Sequence, residues 1–310
     1  MSNRIRVLLD TDANNEIDDQ HAIAYLLLSG ASFFVEGLTV NRTDNGGDIE
    51  AQALEAERVV RLCNLHPQLA VIRGASASFN EIATHLKRPD FDGHAAVDLM
   101  IDRADAASEE KLVIVAIGKL TNVALALKKA PRIAKDVKVV WLGSNYPGPG
   151  EYNLENDPEA VNYVLDTEVE FEIVVVRYFE PSGTSAVRVT LQDLREKVAG
   201  RGPQSLPVIG RNGGVFTCFG DYSVDLLEHV RMSGTPPSRA LYDMAALAII
   251  KNPAWAQAKE IAAPILLGKD WIDRPQNPRK IVIREHFDRC AILSDFFSTI
   301  EDYELTDIAH

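Results

Sequence analysis

The chain has 310 residues, of which 46% are hydrophobic and 25% charged, as is typical of a globular protein large enough to bury a core without disulfides. Its formal net charge of −13, with no block of basic residues, argues against a nucleic-acid partner, because phosphate contacts need clustered Lys and Arg. No apolar run of about 18 residues occurs, so we expect no membrane partner.

Short apolar runs alternate with segments of helical periodicity as far as Gly183. This alternation predicts a mainly parallel sheet with helices on both faces. Ligands of such sheets bind beyond the carboxyl ends of the strands. Strands are predicted at 5–9, 33–40, 111–117, 137–143 and 171–176, and helices at 18–30, 48–64, 121–131 and 157–166.

Beyond Gly183 the alternation weakens. Residues 190–250 are predicted to be mostly helical, and two late strands are predicted at 261–268 and 279–286. No internal repeat or low-complexity linker is present. We therefore expect one domain over residues 1–310, with a Rossmann-like, mainly parallel central α/β sheet flanked by helices and a C-terminal helical elaboration.

Three cysteines, Cys63, Cys218 and Cys290, are far apart and form no CxxC pair. This pattern favours buried, reduced thiols. The N-terminal segment MSNRIRVLLD has no apolar stretch typical of a signal peptide. We therefore expect a cytoplasmic protein.

The first predicted strand runs into an acidic stretch, LLDTDANNEIDDQHA, at residues 8–22. Asp10 and Asp12 leave the carboxyl end of the strand, and Asp18 and Asp19 begin the next helix, so the four should converge at the mouth of the sheet. Burying unpaired carboxylates costs on the order of several kcal/mol each. A hard cation such as Ca²⁺ would offset this cost. The alternative is a helix cap beside solvated aspartates.

Two families place D-x-D after a first strand. The haloacid dehalogenase-like phosphatases have Thr or Val where this chain has Asn14. The nucleoside hydrolases have DTDPGIDD, which DTDANNEIDD at 10–19 resembles with a longer turn. Three later segments resemble nucleoside hydrolase motifs in the same order: GKLTNVALAL, GEYNLENDPEA and LYDMAALAII. The sequence thus resembles the inosine-uridine nucleoside hydrolase family, and this resemblance implies the nucleoside hydrolase fold.

The resemblance implies a Ca²⁺ cofactor and a small-molecule nucleoside substrate. The implied ligands of the ion are the side chains of Asp12, Asp19 and Asp243 and the backbone carbonyl of Thr121. Asp10 and Asp18 would lie beside them, with Asp18 also reaching a sugar hydroxyl. Asp12 would be the general base that activates water for hydrolysis of the N-glycosidic bond of a ribonucleoside or a related N-ribosyl compound. Such an activity would serve purine or pyrimidine salvage.

Further residues are candidates for holding the sugar. Glu151 and Asn153 resemble the family's pair that binds ribose hydroxyls; the alternative is a strand-to-helix turn in which the asparagine caps the helix. Asn41, after the second strand, is expected to join them, with Asn45 as its rival. Asn145 is a candidate for a further sugar contact. Ordinary turn chemistry is the alternative for the two asparagines of the second-strand loop.

The side of the pocket facing the base departs from the family pattern. Purine-cleaving relatives place a histidine before the last metal aspartate, whereas this chain has Tyr242. A phenol of pKa ~10 is a poorer acid at neutral pH than an imidazole of pKa ~6.5, so Tyr242 either donates a hydrogen bond to the base or forms a wall. His94 is a candidate active-site histidine, with a surface histidine as the alternative. Tyr152 and Trp141 are candidates for stacking on the base, and core packing is the alternative for Trp141.

Three functions are open on the sequence. The first is a ribonucleoside hydrolase, and the second is a non-catalytic ribose- or nucleoside-binding protein of the same fold, which Tyr242 keeps open. The third is a haloacid dehalogenase-like phosphatase, which would need Mg²⁺ and a lysine motif that the sequence does not place. Relatives in the resembled family are commonly homo-oligomers, so a dimer or tetramer is expected.

Overall fold

The computed structural model describes residues 4–309. The strands are β1 Ile5–Thr11, β2 Phe33–Val40, β3 Val71–Arg73, β4 Leu112–Ala116, β5 Val137–Leu142, β6 Glu170–Val174, β7 Arg188–Val189, β8 Val208–Ile209, β9 Val215–Phe216, β10 Arg239–Ala240, β11 Gln257–Ala262, β12 Ile265–Leu267, β13 Asp270–Ile272, β14 Lys280–Glu285 and β15 Asp307–Ile308. The α-helices are α1 Asp18–Leu27, α2 Ile49–Leu62, α3 Phe79–Ile82, α4 His94–Asp105, α5 Thr121–Lys129, α6 Tyr152–Asn156, α7 Pro158–Leu165, α8 Leu191–Lys197, α9 Phe219–Glu228, α10 Tyr242–Lys251 and α11 Arg289–Glu301.

Within the described residues, the central sheet has nine strands in the order β11-β14-β6-β5-β4-β1-β2-β15, and β3 also pairs with β2. All neighbouring strands are parallel except β11 and β14, which pair antiparallel at one edge. Val7 and Leu9 of β1 pack into one hydrophobic core, and Leu8 packs into a second. Because successive side chains of a strand point to opposite faces, these two cores lie on the two faces of the sheet. The predicted α/β architecture is confirmed.

The strands and helices predicted before Gly183 are confirmed to within three residues at each end, as is the late strand at 279–286. The prediction that residues 190–250 are mostly helical is wrong, since α8, α9 and α10 cover fewer than half of them. Gly213 and Gly214 adopt positive φ between β8 and β9, where their lack of a Cβ permits a tight hairpin.

The predicted strand at 261–268 is also wrong, because two sheets share these residues. Ile261 ends β11 in the central sheet, whereas Ile265 begins β12 in a separate hairpin with β13. Pro264 lies between the two strands, and a proline has no N–H with which to continue the ladder.

Cys63 and Cys218 are buried thiols, as predicted, but Cys290 at the start of α11 is exposed. It therefore departs from the expectation of three buried cysteines. In the part of the chain from residue 4 to residue 309, none of the helices combines the length and apolar character needed to cross a bilayer.

Candidate active site

A cavity of about 300 Å³ opens at the carboxyl edge of the central sheet. Asp12 follows β1, Ile117 follows β4, Leu142 ends β5 and Val176 follows β6, and all four line the cavity. This is the edge at which parallel α/β sheets bind ligands. The acidic residues of the lining are Asp12, Glu16, Asp18, Asp19, Glu151 and Asp243.

Three of these carboxylates form a cluster. Asp18, Asp19 and Asp243 each offer an oxygen within 4.8 Å of the other two, and each side chain is almost fully buried. Asp18 and Asp19 open helix α1 and Asp243 lies in the first turn of α10. The two helices pack against each other, so their N-terminal ends meet, and the positive ends of their dipoles favour negative charge there.

The carboxyls of the cluster hold their protons more tightly than isolated carboxyls do. Burial raises the pKa of Asp18 to about 6. Burial and the neighbouring charge of Asp18 raise the pKa of Asp19 to about 7. Burial and the charges of Asp18 and Asp19 hold the pKa of Asp243 well above its usual range. A set of buried carboxylate oxygens that repel one another fits a hard divalent cation, which prefers oxygen ligands.

Asp12 lines the same cavity but is not one of the three clustered carboxylates. Its Oδ2 accepts a hydrogen bond of 2.6 Å from Thr43 Oγ1. Burial and the charge of Asp19 raise its pKa well above the usual value. A Cβ on Gly118 would lie 2.9 Å from Asp12 Oδ1, so the glycine lets the loop after β4 approach this carboxylate closely.

Asp10 is fully buried and does not line the cavity. Its carboxylate accepts hydrogen bonds from Thr39 at 2.6 Å, Asn122 at 2.8 Å and Asn41 at 3.0 Å. The Asn41 amide is thus held against Asp10 behind the cavity wall, while Asn45 lines the cavity itself. The structure therefore does not support Asn41 as a direct sugar ligand and favours its rival.

Glu151 and Asn153 line the cavity. Glu151 adopts φ of 135°, a backbone conformation costly for a residue with a side chain, and its Oε2 accepts hydrogen bonds from the backbone N–H groups of Ser144 and Leu154. Asn153 Nδ2 donates to the carbonyls of Ile117 and Leu142 at 2.9 and 3.0 Å. Both side chains are fixed by these bonds, which suits residues that must hold a ligand in one orientation.

Thr121 does not line the cavity. It is the buried first residue of α5, and its hydroxyl donates to Asp157. The lining residue of this segment is Ile117, which directly follows β4. The prediction placed the carbonyl ligand at the start of the helix, whereas the chain reaches the cavity four residues earlier, at the end of the strand.

Two further predicted residues lie outside the cavity lining. The exposed His94 begins α4, and its Nδ1 is 3.0 Å from the carbonyl oxygen of Phe91. Asn145 accepts a bond of 3.3 Å from the backbone N–H of Tyr178 and donates to the carbonyl of Pro149. His94 is therefore a surface residue, and Asn145 supports the loop that carries Tyr178.

Aromatic rings form part of the cavity wall. Tyr242 lines the cavity, and its ring meets that of Tyr178 edge-on at 6.0 Å. Tyr152 also lines the cavity, and its hydroxyl accepts a bond from the backbone N–H of Asn45. Trp141 is fully buried in β5 and stacks on Phe171, so core packing is its role.

Sequence reasoning missed several residues of the lining. Tyr178 and Phe179 come from the loop after β6, and Phe179 is 87% exposed with φ of 63°. Arg239 also lines the cavity, where it forms an ion pair with Glu16, a residue of the acidic stretch that was expected beside the pocket. Their pairing depends on contact between distant parts of the chain, which no local sequence signal reveals.

The chain is similar to known proteins in both sequence and fold. A sequence model described as inosine-uridine preferring nucleoside hydrolase matches residues 7–289. The inosine-uridine preferring nucleoside hydrolase of Leishmania major is 38% identical over 81 residues, which is 24% of this chain and 26% of that protein. A probable uridine nucleosidase of Oryza sativa subsp. japonica is 33% identical over 108 residues, which is 33% of this chain and 32% of that protein. The matched segments thus span less than half the length of these curated relatives.

Solved structures share the fold over nearly the whole chain. A plant nucleoside hydrolase superposes with a TM-score of 0.73 at 19% identity, covering 96% of this chain and 99% of that chain. An inosine-uridine preferring nucleoside hydrolase from Bacillus anthracis gives a TM-score of 0.69 at 16% identity, also covering 96% and 99%. At these identities the likeness concerns the fold.

Proposed function

The chain belongs to the inosine-uridine preferring nucleoside hydrolase family, and from this premise we propose that it hydrolyses the N-glycosidic bond of ribonucleosides to free base and ribose. The observation that carries the proposal is the meeting of Asp18 and Asp19 with Asp243, from the opposite end of the chain, inside one buried cavity. Family membership removes the support for the phosphatase alternative.

We propose that the acidic cluster holds one Ca²⁺. Asp18, Asp19 and Asp243 would supply carboxylate oxygens, Asp12 would join them from the same cavity, and Ile117 would offer its carbonyl in place of Thr121. The all-oxygen donor set and the raised pKa values of the carboxylates fit a hard cation of this kind. When bound, the ion would balance the negative charges and make water in the cavity a better nucleophile.

The remaining chemistry falls to the protein's own side chains. Asp12 would take the proton of the water that attacks the anomeric carbon, and a positioned base of this type contributes ~10²–10⁴-fold to the rate. Glu151 and Asn153, both fixed by hydrogen bonds to the backbone, would hold the ribose hydroxyls. Asp18 would do so from the other side of the cavity.

The cellular setting belongs to the same proposal. The buried thiols of Cys63 and Cys218 support a reducing compartment, and we propose a cytoplasmic enzyme of nucleoside salvage. The assembly expected from the family resemblance is a homodimer or homotetramer, which sedimentation would measure.

The test is release of reducing sugar from inosine, uridine, adenosine and cytidine in the presence of CaCl₂. We expect turnover of at least one nucleoside by the wild type and a loss of ~10²–10⁴-fold in kcat for Asp12→Asn. Asp90→Asn, at an exposed position outside the cavity lining, is the matched control and should retain full activity. Equal rates for Asp12→Asn and wild type would refute the role of Asp12. Nucleoside binding without any turnover would favour the non-catalytic alternative.

A further inference from the structure

Arg239 is the one cationic side chain among the described residues that line the cavity. Six carboxylates share this lining. A single positive charge among them therefore strongly changes the electrostatic potential at a bound substrate. The residue lies three positions before Tyr242, on the side of the cavity where the family resemblance places the leaving base.

The structure holds the guanidinium in place from two sides. Arg239 lies on β10, which pairs antiparallel with β7 through Val189 and Arg188. One end of its guanidinium pairs with Glu16, and Nη1 lies 3.4 Å from the carbonyl of Arg231. The Nε–H is buried and has no hydrogen-bond partner within residues 4–309. Each of the two Nη atoms carries two N–H groups, so each keeps one donor beyond those that face Glu16 and Arg231.

We propose that Arg239 is a catalytic residue that stabilises the leaving base, an inference that rests on the proposed hydrolase function. The C1′–N bond breaks, and its electron pair passes to the ring nitrogen of the base. The guanidinium donates hydrogen bonds to the base as negative charge develops on it. The attacking water gives its oxygen to C1′ and one proton to Asp12. The departed base then takes a proton from solvent, to which Asp12 returns its own.

Arginine suits this role where the chain lacks a histidine beside the metal aspartate. A guanidinium stays charged at any working pH and carries only donors, so it stabilises an anion without transferring a proton. The neighbouring Tyr242 is held against Tyr178 and serves as the wall on which the base rests. Preorganised donors aimed at developing charge contribute ~10²–10³-fold to kcat.

The test compares a nucleoside, whose base is a poor leaving group, with 4-nitrophenyl β-D-ribofuranoside, whose leaving group departs as a stable anion without help. Arg239→Gln should lower kcat for inosine or uridine by ~10²-fold and leave kcat for the nitrophenyl riboside nearly unchanged. Arg239→Lys should recover part of the lost nucleoside activity. The nitrophenyl riboside also reports that the variant is folded.

Arg188→Gln is the matched control, since Arg188 lies on the paired strand β7 and bonds to Ser233 and Ser238 outside the cavity. This variant should change kcat for the nucleoside and kcat for the nitrophenyl riboside by the same factor. If Arg239→Gln lowered kcat equally for the nucleoside and for the nitrophenyl riboside, the role of Arg239 would be overturned and the hydrolase function would stand. Failure of the wild type to cleave any nucleoside would overturn both.

Discussion

Removal of divalent ions should make the folded protein less stable as the pH rises. The carboxyls of Asp18 and Asp19 have ordinary pKa values of 3.8, raised in the folded protein to about 6 and about 7. A carboxyl that binds its proton more tightly when folded favours folding below its ordinary pKa, and that contribution is lost as the pH rises through the raised value. The metal-free protein should therefore lose stability between about pH 4 and pH 7.

The size of the effect follows from the two pKa values. Between its ordinary and its raised pKa, each carboxyl lowers the free energy of unfolding by about 1.4 kcal/mol per pH unit. From about pH 5 to pH 8, Asp19 therefore lowers the free energy of unfolding by ~3 kcal/mol and Asp18 lowers it by ~1 kcal/mol. At about 2–4 °C per kcal/mol, the expected fall in Tm is roughly 10 °C. Asp12 and Asp243, whose pKa values are also raised, act in the same direction.

The assay is thermal unfolding in EDTA and in CaCl₂ across this pH range. Burial lowers the pKa of His21 to about 4, which makes stability rise with pH between about 4 and 6.5, but this effect is present with and without Ca²⁺ and cancels in the difference. The Tm gain from Ca²⁺ should grow by roughly 10 °C from about pH 5 to pH 8. Asp19→Asn should flatten the metal-free pH dependence, and Asp90→Asn should keep it. A Tm gain from Ca²⁺ of the same size at about pH 5 and pH 8 would contradict binding of Ca²⁺ by these carboxyls.

Two further predictions concern the support and the mouth of the cavity. Asn122 bonds to Asp10 and accepts from the backbone N–H of Ala75, so Asn122→Ala leaves buried groups unpaired and should lower the free energy of unfolding by ~2–4 kcal/mol; an unchanged urea midpoint would contradict this. The exposed ring of Phe179 lines the cavity mouth, so Phe179→Ala should raise KM about tenfold, or ~1.4 kcal/mol, with kcat little changed. A fall in kcat at constant KM would argue against a binding role for the ring.

Most of the central sheet was predictable because its strands are buried on both faces. Residues such as Val7, Leu8 and Leu9 face two hydrophobic cores, and this requirement leaves a continuous apolar run in the sequence. The prediction of a mostly helical segment at 190–250 failed because this segment contains β8, β9 and β10, which have two residues each. A strand of that length is too short to show a period, and only its tertiary partner defines it.

The site was predictable where its residues adjoin a strand end or a helix start. Asp12, Asp18 and Asp19 follow this rule, and the local order of the elements alone places them at the sheet edge. Asp243 depended on the family resemblance, since its approach to α1 arises from packing of α1 against α10. Arg239 was missed because it reaches the cavity through the pairing of β10 with β7, which leaves no signal in the local sequence.

Calorimetry on the metal-stripped protein measures directly whether the acidic cluster of Asp18, Asp19 and Asp243 binds Ca²⁺. We expect one Ca²⁺ per chain in the wild type and loss of that binding in Asp243→Asn, because the Asp243 carboxylate lies beside those of Asp18 and Asp19. Undiminished binding in Asp243→Asn, or none in the wild type, would contradict a site assembled from both ends of the chain.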